Sequence, residues 1–275
     1  MERARLRSAS EMCYRLVKTR TRQGQCCPEN APILMYHHLE PDHPARTPYA
    51  ISVRQFEDQL DVLQRAGFTT INFEQLSKAR RSGEALSGKS VVITFDDGYV
   101  SFLDYAVPAL QVRGMSATAF LVVGEIGGFN RWDESEGIPR RALMSEANVE
   151  GLIAAGFEIG SHGWAHRDLV ACSPKELEEE IGRSRQALHA KFGIVTTTFA
   201  YPYGRYSETH YKSLASAGFQ AAVTSSSTTP GIGNQFALRR VNVQQRDNRL
   251  TFFLKLSPLY LRYKAWRCSA FGWRH

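Results

Sequence analysis

The sequence predicts an α/β fold in which helices surround a parallel sheet, and three observations predict it. Apolar strand-length runs alternate with amphipathic helical stretches from residue 33 to residue 243. A helix end followed by glycine and an apolar strand occurs as Arg65-Ala66-Gly67-Phe68, Ala154-Ala155-Gly156-Phe157 and Ser216-Ala217-Gly218-Phe219. Each of these glycines can close a helix in the left-handed conformation. Acids, histidines and a Pro-Gly turn follow successive strands, an arrangement that suits a barrel better than an open doubly wound sheet.

Taken in order, residues 1–22 place Leu6, Ala9, Cys13, Leu16 and Val17 on one side of a basic helix, which lies either on anionic lipid or on the protein itself. Gly24 to Pro32 breaks that pattern as a linker. Strands are expected at Ile33–His38, Phe68–Ile71, Val91–Phe95, Ala117–Val123, Phe157–Gly160, Thr196–Ala200, Gln220–Thr224 and Leu238–Val243. Between them, helices are expected at Arg54–Ala66, Glu74–Arg80, Leu103–Val112, Glu146–Ala155, Pro174–Lys191 and Glu208–Ala217. The segment from Gly124 to Met144 is long for a loop and carries Phe129, Arg131, Trp132 and Asp133, so it is expected to be functional. Its Trp132 suits a sugar-binding groove, or caps the barrel rim. Beyond residue 245 the chain holds Phe252, Phe253, Tyr260, Tyr263, Trp266, Phe271 and Trp273 among basic residues.

The charge is unevenly distributed over the 275 residues. Residues 1–22 carry a net +5 and residues 249–275 a net +6, which leaves the middle at −4 although the whole chain is +7. The basic balance therefore belongs to two terminal arms, and the centre gives no electrostatic reason to expect nucleic acid. Five cysteines without a C-x-x-C spacing indicate neither a disulfide framework nor a zinc knuckle, which favours a reducing compartment. Arg3, Arg5, Arg7, Arg15 and Lys18 interrupt any apolar core of a signal peptide, and no stretch reaches the ~18 apolar residues of a spanning helix. A cytoplasmic protein is expected, whose arms either touch an anionic membrane peripherally or pack on the barrel.

The run Ser90-Val91-Val92-Ile93-Thr94-Phe95 ends in Asp96-Asp97-Gly98. Adjacent carboxylates at a buried strand end repel each other and resist ionisation, which a metal ion would remedy; a plain surface turn is the alternative. In Ser161-His162-Gly163-Trp164-Ala165-His166 two histidines stand four apart. If the chain turns helical there, both rings share one face and reach one ion. Tyr201-Pro202-Tyr203-Gly204 is another strand-end turn.

Together and in this order, Thr94-Phe95-Asp96-Asp97-Gly98, Ser161-His162-Gly163-Trp164-Ala165-His166 and Tyr201-Pro202-Tyr203-Gly204 resemble the motifs of the polysaccharide deacetylase family, the NodB-homology carbohydrate esterases, over residues 31–245. The resemblance implies a distorted, incomplete (β/α) barrel; outside it the residues themselves mark a basic amino-terminal arm and linker (1–30) and a basic aromatic carboxyl-terminal arm (246–275). It implies a hydrolase that removes N-acetyl groups from an amino-sugar glycan. It also implies Asp97, His162 and His166 as ligands of one divalent metal ion and Asp96 as the base; two imidazoles and a carboxylate suit zinc, with cobalt, nickel or iron as alternatives. The backbone N–H of Tyr203 is implied as the oxyanion donor, with Tyr201, Pro202 and Trp132 towards the substrate. Two departures stand out: Ala200 replaces an arginine that holds the base in many members, and Ala237-Leu238-Arg239-Arg240-Val241 lacks the late histidine that protonates the leaving amine. Both, with Tyr36-His37 on the first strand, resemble the branch acting on poly-N-acetylglucosamine and other exopolysaccharides. Arg240 or Arg239 is then expected to partner Asp96, and His37 or the protonated Asp96 to serve as the acid. A non-catalytic carbohydrate-binding protein and an amidohydrolase for a small non-sugar amide are the rival expectations.

Overall fold

The computed structural model describes residues 31–41, 49–225, 234–257 and Tyr260. The amino-terminal arm, the aromatics Tyr263, Trp266, Phe271 and Trp273, and every cysteine but Cys172 lie outside the described residues. The chain opens with β1 (Ile33–Tyr36) and a small parallel pair, β2 (His38–Glu40) and β3 (Ala50–Ser52). Helix α1 (Val53–Arg65) follows, capped by the Ser52 side chain, then β4 (Phe68–Thr70), α2 (Phe73–Ser82) and β5 (Lys89–Phe95). Next come α3 (Val107–Gln111), β6 (Thr118–Leu121), α4 (Glu146–Ala154) and β7 (Glu158–Ser161). The last third holds α5 (Pro174–Glu178), α6 (Ser184–Phe192), β8 (Thr198–Ala200), α7 (His210–Ala217), β9 (Ala221–Thr224), β10 (Leu238–Arg239), β11 (Val241–Asn242) and α8 (Arg249–Lys255).

All strand pairs of the main sheet are parallel, in the order β10-β9-β8-β7-β6-β5-β1-β11, with β4 beside the first half of β5. The two ends of that order, β10 and β11, are separated in the chain by a single residue, Arg240. The expected strand Leu238–Val243 is thus kinked there. Its first half pairs with Val223 and Thr224, its second with Leu34 and Met35, and a nearly closed (β/α) barrel results. Glycines 67, 156 and 218, at the three helix-to-strand joints, have φ of +73°, +81° and +93°, as their position after a helix requires.

Strand alternation sorts β5 into two faces. Val91, Ile93 and Phe95 pack outward with Phe56, Leu60 and Phe102, whereas Val92 packs inward with Phe120, Ala200 and Val223. Asp96 continues the inward face. Helix α2 sends Phe73 and Leu76 into the same inner cluster, and its first N–H donates to Glu158 at the start of β7 (2.9 Å), so it plugs the amino-terminal end of the barrel. Among the described residues the carboxyl-terminal end stays open.

Two helices depart from the expected regularity. The stretch from Leu103 to Val112 starts with a π turn over Phe102–Ala106, because Pro108 has no N–H for the ladder and its ring crowds the carbonyl four residues back. The helix over 174–191 is likewise interrupted by a π turn at Glu179–Arg183.

Candidate metal centre

Every chemically notable side chain of the motifs emerges at the open end of the barrel. Asp96 and Asp97 follow β5, His162 follows β7, and Tyr201 to Gly204 follow β8. One pocket is lined by His37, Asp96, Asp97, His162, His166 and Arg240, with Trp132 and Tyr203 at its wall. Three non-glycine residues among those described have positive φ, Asp97 (+73°), His166 (+58°) and Tyr203 (+58°), and all three belong to this pocket. Such strain persists only where the surrounding structure holds it, and it gathers at functional sites.

The chain does not turn helical after Ser161. Gly163 at φ +87° and His166 at φ +58° make residues 162–168 an irregular loop, and the two histidines converge by that route. Asp97 Oδ1 lies 3.4 Å from His162 Nε2 and 3.5 Å from His166 Nε2. The three ligand atoms all lie within 4.8 Å of one another. His162 Nδ1 donates to the Ala200 carbonyl (2.8 Å), which leaves its Nε2 with a lone pair pointed at Asp97. The His166 ring is packed between Trp132 and Tyr203, with both ring centroids 4.6 Å away. Burial lowers the pKa of both imidazoles and keeps them neutral, the form that ligates. Burial, the charge of Asp96 and that of Asp133 raise the Asp97 carboxyl well above its ordinary range. A buried acid that resists ionising, facing two imidazole lone pairs, fits a cation that would stabilise its charge.

Asp96 is in the opposite electrical state. Burial alone would raise its pKa, but the Arg240 guanidinium outweighs that effect and holds the carboxyl below the ordinary range. The pair is bidentate, Nη1 to Oδ1 at 2.5 Å and Nη2 to Oδ2 at 2.6 Å, and both side chains are almost wholly buried. Arg240 also donates to Thr94 Oγ1 (3.2 Å), whose own hydroxyl donates to the Leu34 carbonyl (2.7 Å). Of the two arginines expected as partners, Arg240 is the one that reaches Asp96. His37 Nε2 is 3.9 Å from Asp96 Oδ2, and burial pulls its pKa down to about 4.

The remaining expected residues divide. Trp132 and Tyr203 line the opening. Pro202 is buried, and the Tyr201 ring is fully buried with its hydroxyl donating to the Phe236 carbonyl (2.9 Å), so its polar end is engaged within the fold. The sequence did not single out Tyr99, whose hydroxyl donates to Asp133 (3.3 Å), or His38, whose Nδ1 lies 2.9 Å from Ser101 Oγ, though both line the pocket.

The polysaccharide deacetylase family model matches residues 83–222. YxkH of Bacillus subtilis (strain 168), named for the same family, is 30% identical over 220 residues, covering 78% of this chain and 72% of that protein. Poly-beta-1,6-N-acetyl-D-glucosamine N-deacetylase of Staphylococcus aureus (strain MRSA252) is 23% identical over 181 residues, and the match spans 62% of this chain and 60% of that enzyme. Among solved structures, IcaB from Ammonifex degensii gives a TM-score of 0.69 at 27% identity, covering 85% of this chain and 98% of that one. Streptococcus pyogenes deacetylase PplD, in complex with acetate, gives 0.71 at 24% identity over 83% of this chain and 98% of that one, a likeness of fold.

Proposed function

The chain belongs to the polysaccharide deacetylase family, and from that premise we propose that it is a metal-dependent N-deacetylase of an amino-sugar glycan of the poly-N-acetylglucosamine kind. The observation that carries this reading is the convergence of Asp97, His162 and His166 beside a second carboxylate, Asp96, that Arg240 keeps charged.

Asp97, His162 and His166 would hold a divalent ion, zinc or alternatively cobalt, nickel or iron, which would supply Lewis-acid polarisation of the N-acetyl carbonyl and acidify water. Asp96 accepts the proton of the attacking water. Arg240 fixes both Asp96 oxygens and keeps the group ionised, at a cost in basicity. The backbone N–H of Tyr203 is assigned to the tetrahedral oxygen, a donor worth about 3 kcal/mol in comparable sites. When the C–N bond breaks, the amine needs a proton. Asp96 now carries one and can return it itself, or His37, neutral at rest with its Nε2 3.9 Å from Asp96 Oδ2, serves as the acid. Acetate and a free amino sugar leave. Trp132 supplies an aromatic wall against which a pyranose can rest.

Acetate release from β-1,6-linked N-acetylglucosamine oligomers tests this function. Wild type should release acetate, lose the activity to a chelator and regain it with zinc or cobalt. Asp96→Asn should lose at least about a hundredfold in kcat while still binding metal. A protein that binds metal but releases no acetate from any glycan would sink the proposal and leave the small-amide or binding-protein readings. The basic arms are proposed to rest on the cytoplasmic face of an anionic membrane. Cosedimentation with anionic but not zwitterionic vesicles is the outcome expected for them.

A further inference from the structure

Glu180 is a buried carboxylate outside the ligand set, and three backbone N–H groups of the histidine loop converge on it. Trp164 N donates to Oε2 at 3.0 Å, Ala165 N to Oε1 at 3.0 Å and Oε2 at 3.2 Å, and Arg167 N to Oε2 at 3.4 Å. These donors flank His166 on both sides. The Glu180 side chain has no solvent exposure, although it ends a run of charged residues that would otherwise form a solvated helix face. Its neighbour Glu179 faces outward to Arg167 (2.7 Å) and Arg183 (2.6 Å). Both glutamates start the π turn, a local rewinding of the ladder that is often found at functional sites.

The need for such a grip is visible in the ligands themselves. His162 is oriented by its Nδ1–H on the Ala200 carbonyl, whereas the buried Nδ1 of His166 has no hydrogen-bond partner among the described residues. His166 is therefore held by ring packing and by a backbone at φ +58°. Gly163 leaves room for the carboxylate: a Cβ there would come within 2.5 Å of Glu180 Oε2.

We propose that Glu180 is a positioning residue which, by binding the backbone of residues 164–167, holds His166 in ligating geometry and so sets the metal affinity of the site. This rests on the metal-dependent function proposed above. Outer partners of metal ligands typically govern affinity by ten- to a hundredfold.

Cobalt(II) titration of the full chain, followed by calorimetry and by the visible absorption of the bound ion, tests the assignment. Glu180→Gln keeps the size but turns an NH2 group towards backbone donors, and Gly163→Ala disturbs the same contact from the other side. Each should weaken cobalt binding at least tenfold and alter the absorption band, with far-UV circular dichroism unchanged. The double variant should fall well short of the product of the two effects, since both act on one contact. Glu179→Gln should stay within about twofold. Wild-type affinity and spectrum in both Glu180→Gln and Gly163→Ala would overturn the role, and so would failure of both to fold, which would make Glu180 a residue of the fold alone. If wild type itself bound no cobalt, the metal-dependent function would be what fails.

Discussion

At Asp97 the backbone turns through φ +73°, and neighbouring carboxylates are sent to different partners, one to Arg240 and the other to two imidazoles. The consequence is testable through Arg240. Arg240→Gln should raise the Asp96 pKa, because burial then acts without the guanidinium that opposed it. The acid limb of the kcat/KM profile should move to higher pH, and stability should fall by about 3–5 kcal/mol, the usual cost of leaving a buried charge unpaired. An unmoved acid limb would show that Asp96 is not the titrating base. The pairing of Asp96 with one of two adjacent arginines was legible from the departure at Ala200. Which arginine was not, because that depends on a kink between β10 and β11 that no local pattern announces.

Within single elements, the strands and helices that position the site were legible, and for physical reasons. Ser52, Asn72 and Ser145 cap their helices through their own side chains, and the capped stretches carry the apolar spacing of a half-buried helix. What could not be read is what depends on contact across elements. The loop from His162 to His166 looks like one helical turn by spacing, yet it is shaped by Glu180 from a distant helix. Trp132 stands out in the sequence as an aromatic in a long loop, but its stacking on His166 has no local signature. Strand β7 shows how closely such contacts are drawn: a Cβ on Gly160 would fall 2.3 Å from the Phe120 ring. Gly160→Ala should therefore destabilise the protein by about 1–3 kcal/mol, read from urea unfolding, with Phe120→Leu relieving part of the loss. No change in the midpoint would mean that β6 and β7 can slide apart without cost.

For the molecule as a whole, stability is linked to protons and, on the proposed function, to metal. His38 is pulled from its ordinary 6.5 to about 4 by burial and by the nearby Arg141. Between those values the unfolded chain takes up a proton that the folded chain refuses, so this contribution is complete above pH 6.5 and is lost as the pH falls towards 4. The difference in melting temperature between wild type and His38→Gln, both chelated, should shrink across that window. Parallel curves would exclude His38 as the cause. Metal at a hundred times its dissociation constant should add about 2.7 kcal/mol, visible as a rise in melting temperature over the chelated protein. No described helix is long and apolar enough to cross a membrane. The kink at Arg240 ties these scales together. The sheet's two margins meet through one residue, and the side chain at that hinge grips the carboxylate assigned as base. A barrel that parted along its seam would lose the clamp on Asp96 in the same motion, so partial opening should silence hydrolysis before the helices melt, and the hinge serves as a built-in gauge of whether the cylinder is shut.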